Sequence, residues 1–312
     1  MEFLYFLEGM RTSFGDVFFS LITHLGEETL FMAFALIFFW CVDKYRGYYL
    51  LVVGFCGTVF NQFLKMIFRI PRPWVIDPDF SIVESARAEA TGYSFPSGHT
   101  QSSVGLYGGM ARSSAHRVVR IGGVVLCALI ALSRMYLGVH TPKDVLVSVA
   151  IGTLLVLVFY PIIEKSRENS KVMYLLIAFN VAITVANLLF VELYPFPSDV
   201  DPVNLANAVE NAYKMFGAVL GVCVLYPVEH RRIRFETKAV WWAQILKFAG
   251  GLALVVAVKA LLKSPLNAVF GASAGNCIRY FLMVLAAGLL WPLTFKFFAR
   301  LGRNKSSVNS SD

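Results

Sequence analysis

Nine stretches of this chain are apolar over roughly the length needed to cross a bilayer as a helix, about 20 residues. They lie near 27–43, 48–68, 98–113, 119–137, 142–163, 172–191, 211–228, 239–262 and 277–298, the first and third needing extension into their flanks. In hydrocarbon every backbone N–H and C=O must be satisfied within the protein, so runs this long fold as helices. The expected fold class is all-α: a polytopic membrane helical bundle of about nine transmembrane helices. Composition closes off the other classes. Hydrophobic residues make up 57% of the 312 and charged residues 15%, against about 45–50% and about 25% in soluble domains. A soluble core could not hide that surface, which excludes a disordered chain, a coiled coil and a soluble nucleic-acid binder.

Charge placement then predicts orientation. Lys44 and Arg46; Arg112, Arg117 and Arg120; Lys165, Arg167 and Lys171; Arg231, Arg232, Arg234 and Lys238; and Lys296, Arg300, Arg303 and Lys305 all fall in alternate connections. The opposite connections are poorer in basic residues, and 192–210 carries Glu192, Asp199, Asp201 and Glu210. By the positive-inside rule the first set is cytoplasmic, which puts the C-terminus inside and the N-terminus outside. The net charge of +8 is thus a topology signal, and no nucleic-acid partner is expected.

Residues 1–25 show helical spacing of Phe3, Leu4, Leu7, Met10, Phe14, Val17, Phe18 and Leu21, interrupted by charges. This predicts an amphipathic segment in the membrane interface. Its acidic start and the lack of a small-residue cleavage site do not fit a signal peptide. The tail, 301–312, reads as disordered. The five cysteines show no C-x-x-C pairing, so neither a disulfide framework nor a zinc site is expected. In the region 167–300, Asn180, Asn187, Gln244, Lys247 and Lys259 read as inter-helix hydrogen bonding by the amides and snorkelling by the lysines. The alternative is that this half shapes a lateral entrance or a homodimer face.

Three clusters at the outer ends of spans two to five carry chemistry. The first is Lys65 with Arg72 and Pro73, whose spacing predicts two cations on one side of a helix that Pro71 and Pro73 end. The second is Phe95-Pro96-Ser97-Gly98-His99-Thr100. Here Ser97 can cap the next helix, Gly98 lets a ligand approach the backbone, and the helix start favours an anion. The third is Ser133-Arg134, then Gly138, His140 and Asp144. His140 and Asp144 are spaced i, i+4, so the carboxylate can accept from one imidazole nitrogen and leave the other free to attack. Thr141-Pro142-Lys143-Asp144 also reads as a capping box, and both readings can hold together.

Each cluster has an ordinary explanation alone: snorkelling cations, a plain helix start, a cap. Together they set three cations, two histidines and one carboxylate at one membrane face. That set suits a phosphoryl group, with a nucleophile, its orienter and a separate proton donor. No acidic cluster that could hold Mg²⁺ is evident at this face, so no metal or other cofactor is expected.

These residues resemble the tripartite signature of the type 2 phosphatidic acid phosphatase and vanadium haloperoxidase superfamily. The matching positions are Lys65-x6-Arg72-Pro73, Pro96-Ser97-Gly98-His99, and Ser133-Arg134-x3-Gly138-x-His140-x3-Asp144. The resemblance implies a phosphatase core in the first five spans, residues 26–166, followed by four additional spans. It implies that His140 attacks phosphorus, that Asp144 orients it, and that His99 protonates the leaving oxygen and later activates water. Lys65, Arg72, Ser97, Gly98 and Arg134 would hold the phosphoryl oxygens.

The haloperoxidases are soluble, so composition favours the membrane phosphatase branch. The expected activity is metal-independent hydrolysis of a lipid phosphomonoester or diphosphate through a phosphohistidine. Phosphatidic acid, phosphatidylglycerophosphate, polyprenyl diphosphate and sphingoid phosphates all fit, with Trp74, Phe80 and Tyr93 as interface anchors. Two alternatives stay open: a phosphotransferase using the same phosphohistidine, and a phosphatase of a soluble phosphomonoester of the glucose-6-phosphatase kind. The expected location is a membrane (the plasma membrane in a bacterium), with the site on the extracytoplasmic face.

Overall fold

The computed structural model describes residues 1–301; the expected disordered tail lies, from 302 on, outside the described residues. Every regular element among the described residues is helical. Helices α1 (Glu2–Gly9) and α2 (Ser13–His24) precede α3 (Glu28–Ile37), which runs into a π-helical turn at Phe38–Val42. Next come α4 (Lys44–Phe68), a single turn α5 (Pro73–Ile76), and α6 (Gly98–Ser103), which continues through a π-helical turn at Val104–Gly108 into α7 (Gly109–Ser113). Helices α8 (Arg117–Tyr136), α9 (Pro142–Ser166), α10 (Ser170–Leu193), α11 (Pro202–Val228), α12 (Trp241–Leu261), α13 (Lys263–Leu285) and α14 (Phe295–Arg300) follow.

Among the described residues seven helical segments are long and apolar enough to cross a membrane, or eight if α2 and α3 with its π turn, bent by 47°, make one span. The protein is a polytopic membrane helical bundle, but the count of nine is not reached. The shortfall sits in the two runs that were short at the outset. The run 98–113 forms one rod of roughly 24 Å at about 1.5 Å per residue, less than the hydrocarbon thickness of about 30 Å.

The chain divides into two compact units. The first comprises Met1–Phe34, Tyr49–Lys165 and Phe190–Ala208; the second comprises Ala35–Tyr48, Ser166–Leu189 and Val209–Asp312. Every residue of the three clusters falls in the first unit. There α1, α2, α6 and α7 all pack on α8. Leu4 on α1 is buried against Phe80 and Ile82, while Phe14, Val17 and Leu21 on α2 face outward. Phe80, expected as an interface anchor, is 3% exposed and stacks edge-on with Tyr5, so it is a core residue instead.

In the second unit Glu229 is buried and takes Lys44 Nζ at 2.7 Å and Tyr48 Oη at 3.5 Å. Lys247 does not snorkel. It is 1% exposed, donates to Thr237 O at 2.8 Å and lies over the Phe295 ring. Gln244 bridges Cys41 O and Thr237 O as the amide reading expects. Asn180 Nδ2 also donates to Leu176 O within its own helix. All five cysteines are free thiols.

Candidate active site

The site is built where three chain turns meet. Helix α4 delivers Lys65 near its C-terminal end and stops at Phe68, with Arg69 in the left-handed region (φ 48°). Pro71 and Pro73 cannot continue a helix, so Arg72 stands outside it, as the residue before α5. Lys65 and Arg72 therefore converge through a turn, not along one helical face. The Arg72 side chain is 6% exposed. Its Nε donates to Gly92 O (3.0 Å), Nη2 to Thr91 O (2.7 Å) and Nη1 to Val139 O (2.9 Å). Lys65 Nζ donates to Tyr93 O at 2.6 Å. These contacts tie the loop 69–97 back onto the bundle.

Ser97 caps α6 as expected, accepting from Thr100 N and from Thr100 Oγ1. Its own N–H donates to Asp144 O, which brings the second cluster against the third. Asn61 on α4 supports the turn by donating to Pro96 O. A Cβ built on Gly98 would meet nothing nearer than Asn61 Oδ1 at 3.9 Å. Packing does not demand glycine there, and the space beside its backbone is open to a ligand.

The third cluster is placed by the short connection from α8 to α9. Gly138 has φ +80°, a backbone that L side chains adopt at a cost, and a Cβ would press on Arg11 Nη2 and the Phe80 ring. This turn aims His140 inward, where it is 2% exposed. Asp144 Oδ2 lies 3.4 Å from His140 Nδ1 and also accepts from Thr141 N (2.8 Å) and Ser94 Oγ. Thr141 Oγ1 accepts in turn from Asp144 N, so the capping box and the His140 contact coexist. His140 Nε2 faces the other way, 2.8 Å from Arg72 Nη1. Burial first, then the Arg72, Arg134 and Lys65 charges, hold the imidazole well below its ordinary pKa, so it is uncharged at neutral pH and its Nε2 lone pair accepts from Arg72 Nη1.

Arg134 is 1% exposed; its Nη1 donates to Thr23 Oγ1 at 2.6 Å, and its buried Nε has no protein partner. His99 is likewise buried at Nε2 with no hydrogen bond there. Lys65, Arg72, Ser97, Gly98, His99, Arg134, His140 and Asp144 are thus gathered in one unit. A buried guanidinium nitrogen without an acceptor, in the same unit as an imidazole lone pair, is chemistry that suits an anion.

Three groups escaped the sequence reading. Ser94, fully buried, lies within reach of both Asp144 and His140 Nδ1. Thr23 on α2 seats Arg134, and nothing in its local sequence marks it. The third corrects the expectation that no acidic cluster stands at this face: His24, Glu27 and Glu89 place their ligand atoms within 4.8 Å of one another, and Glu89 Oε2 is 3.7 Å from His99 Nε2.

This is the architecture of an integral membrane protein. Residues 45–168 match the PAP2 superfamily, and residues 213–304 match the transmembrane extension of PAP2 superfamily phosphatases. The chain belongs to the PAP2 superfamily. It is 29% identical to sphingosine-1-phosphate phosphatase 1 of Mus musculus over 47% of this chain and 34% of that protein. With phosphatidylglycerophosphatase B of Bacillus subtilis (strain 168) it shares 28% over 47% of this chain and 74% of the relative. With lipid phosphate phosphatase delta of Arabidopsis thaliana it shares 27% over 69% and 53% respectively. The matched part spans about a third of the length of the sphingosine-1-phosphate phosphatases, 34% and 35% in the mouse and human proteins. No solved structure matches the chain.

Proposed function

We propose that this chain is a membrane phosphatase that hydrolyses a lipid phosphomonoester or diphosphate through a phosphohistidine, without a metal. The observation that carries the reading is the two-sided environment of His140: Asp144 at Nδ1, Arg72 at Nε2. Nε2 attacks phosphorus as the bond to the leaving oxygen breaks. The incoming phosphoryl oxygen replaces Nε2 as acceptor for Arg72 Nη1, and the orphaned Arg134 Nε, Lys65 and the Gly98 N–H complete the clamp. Fixed cations spread around the equatorial oxygens stabilise the transition state without reorganising. Asp144 balances the positive charge that His140 gains on phosphorylation. His99 protonates the leaving oxygen, then takes a proton from the water that cleaves the phosphorus–nitrogen bond.

The relatives named above act on phosphorylated lipids, which supports a lipid substrate here. The basic connections support a site on the extracytoplasmic face with the C-terminus inside, and the family matches over 45–168 and 213–304 support a core at 26–166 followed by a four-span region at 167–300. The test is phosphate release in detergent from a panel of phosphatidic acid, phosphatidylglycerophosphate, polyprenyl diphosphate, sphingoid phosphate and glucose 6-phosphate, for the wild type and His140→Ala. Release from at least one lipid, lost in His140→Ala, is expected. Turnover of the soluble ester alone would refute the lipid reading, and full activity in His140→Ala would refute the mechanism.

A further inference from the structure

We propose that Glu89 is the positioning carboxylate of His99, the counterpart of Asp144 for His140; this rests on the phosphatase reading above. His99 has the harder electrostatic task. To give a proton to a leaving oxygen its imidazole must first be charged, yet burial opposes that charge, and so do the positive charges of Arg134, Arg72 and Lys65. Each of those cations disfavours the imidazolium. Glu89 Oε2 lies 3.7 Å from His99 Nε2, which is buried and makes no hydrogen bond. A displacement of about 1 Å, shared between the two side chains, closes a charge-assisted bond.

Glu89 is itself held. Its Oε1 faces His24 Nδ1 at 3.3 Å, and the same nitrogen lies 2.5 Å from Glu27 Oε1. The turn carrying these groups is pressed onto His99 from behind. A Cβ on Gly26 would stand 3.0 Å from the His99 carbonyl oxygen and 3.3 Å from its Cβ, so only glycine fits without displacement. The His24–Glu27 turn, the Glu89 loop and the His99 helix start therefore form one assembly whose common point is the imidazole edge. Glu89 lies at the partly exposed rim, where it does not touch the phosphoryl site directly.

The proton balance follows. As the bond from His140 Nε2 to phosphorus forms and the ester P–O bond breaks, His99 gives the proton of its other ring nitrogen, Nδ1, to the departing alkoxide and becomes neutral, while Nε2–H stays on Glu89. As water oxygen then bonds to phosphorus and the P–N bond breaks, His99 takes one proton from that water. One water is consumed per turnover, and the imidazolium is restored beside Glu89.

The experiment compares an alkyl phosphate lipid that the wild type hydrolyses with p-nitrophenyl phosphate, whose leaving group departs unprotonated, using wild type, Glu89→Gln and Glu89→Asp. The ratio of the two rates does not depend on the fraction of folded protein. Glu89→Gln is expected to lose about tenfold or more on the alkyl phosphate and less than threefold on the aryl phosphate, with Glu89→Asp recovering part of the loss. Equal losses on both substrates, or none, overturn the proposal. His24→Ala, at an exposed position, is expected to move the ratio the same way by a smaller factor. An alkyl activity abolished by chelation and restored by a divalent cation would make the three groups a metal site and also overturn it. If His140→Ala and His99→Ala keep full activity, the failure belongs to the phosphatase reading and not to Glu89.

Discussion

Replacing Asp144 by Asn separates the electrostatic part of the proposed mechanism from the structural part. The asparagine oxygen can still accept from Thr141 N and Ser94 Oγ, and asparagine caps helices about as well as aspartate. Folding is therefore expected to survive. What disappears is a negative charge 3.4 Å from His140 Nδ1, in surroundings where Asp144 is 1% exposed. At an effective dielectric of about 20 that charge stabilises a cationic imidazole by about 5 kcal/mol, which corresponds to roughly 10³–10⁴ in rate. The charge matters only once His140 becomes positive, so the loss should fall on kcat and leave KM within about threefold. The assay is steady-state phosphate release in detergent, with size-exclusion profile and thermal midpoint as controls for folding. A fall in kcat below about tenfold, or a loss carried by KM alone, would refute the assignment of Asp144 as the partner of a charged intermediate.

Three further outcomes are expected. Vanadate, a mimic of five-coordinate phosphorus, should inhibit competitively and EDTA should leave activity intact; insensitivity to millimolar-scale vanadate or a strict Mg²⁺ requirement would contradict the cation-only clamp. Gly138→Ala should cost about 1–2 kcal/mol from the left-handed backbone alone, seen as a lower thermal midpoint, and should depress kcat because the turn aims His140. Lys44→Met should leave the buried Glu229 carboxylate without its 2.7 Å partner and destabilise the protein by about 3–5 kcal/mol, read from thermal unfolding in detergent.

The parts of the site legible in the sequence are those whose chemistry is local. Ser97 as a cap, Gly138 at a positive φ and the His140–Asp144 spacing each follow from a few contiguous residues, and the helical fold follows from run length. The errors share a different origin. Arg72 was expected on a helical face, but the two flanking prolines end the helix earlier and the side chain is set by backbone carbonyls of a loop about 20 residues away in sequence. Lys247 was expected to snorkel, but the Thr237 carbonyl, which also accepts from Gln244, gives its ammonium an internal partner. Phe80 was expected at the interface because hydropathy does not reveal that α1 covers it. Ser94, Thr23 and Glu89 sit beside the site only through tertiary packing, which one-dimensional periodicity does not encode.

The two buried arginines show how a phosphoryl clamp can be both rigid and receptive. Arg72 donates to three backbone carbonyls, on the 91–92 loop and at Val139, and so pins those segments in register around His140. Its Nη1 also donates to His140 Nε2, so a phosphoryl group that displaces this bond from the lone pair meets a donor close at hand for one of its oxygens. Arg134 is the complement. Thr23 fixes one end of its guanidinium while Nε stays buried without an acceptor, a deficit of about 1–3 kcal/mol that an oxyanion would remove. In the proposed cycle the first arginine supplies geometry and the second supplies unmet affinity. A charge-assisted bond made only when the anion arrives stabilises the bound and reacting states, while the carbonyl bonds of Arg72 keep the pocket from collapsing onto that vacant donor.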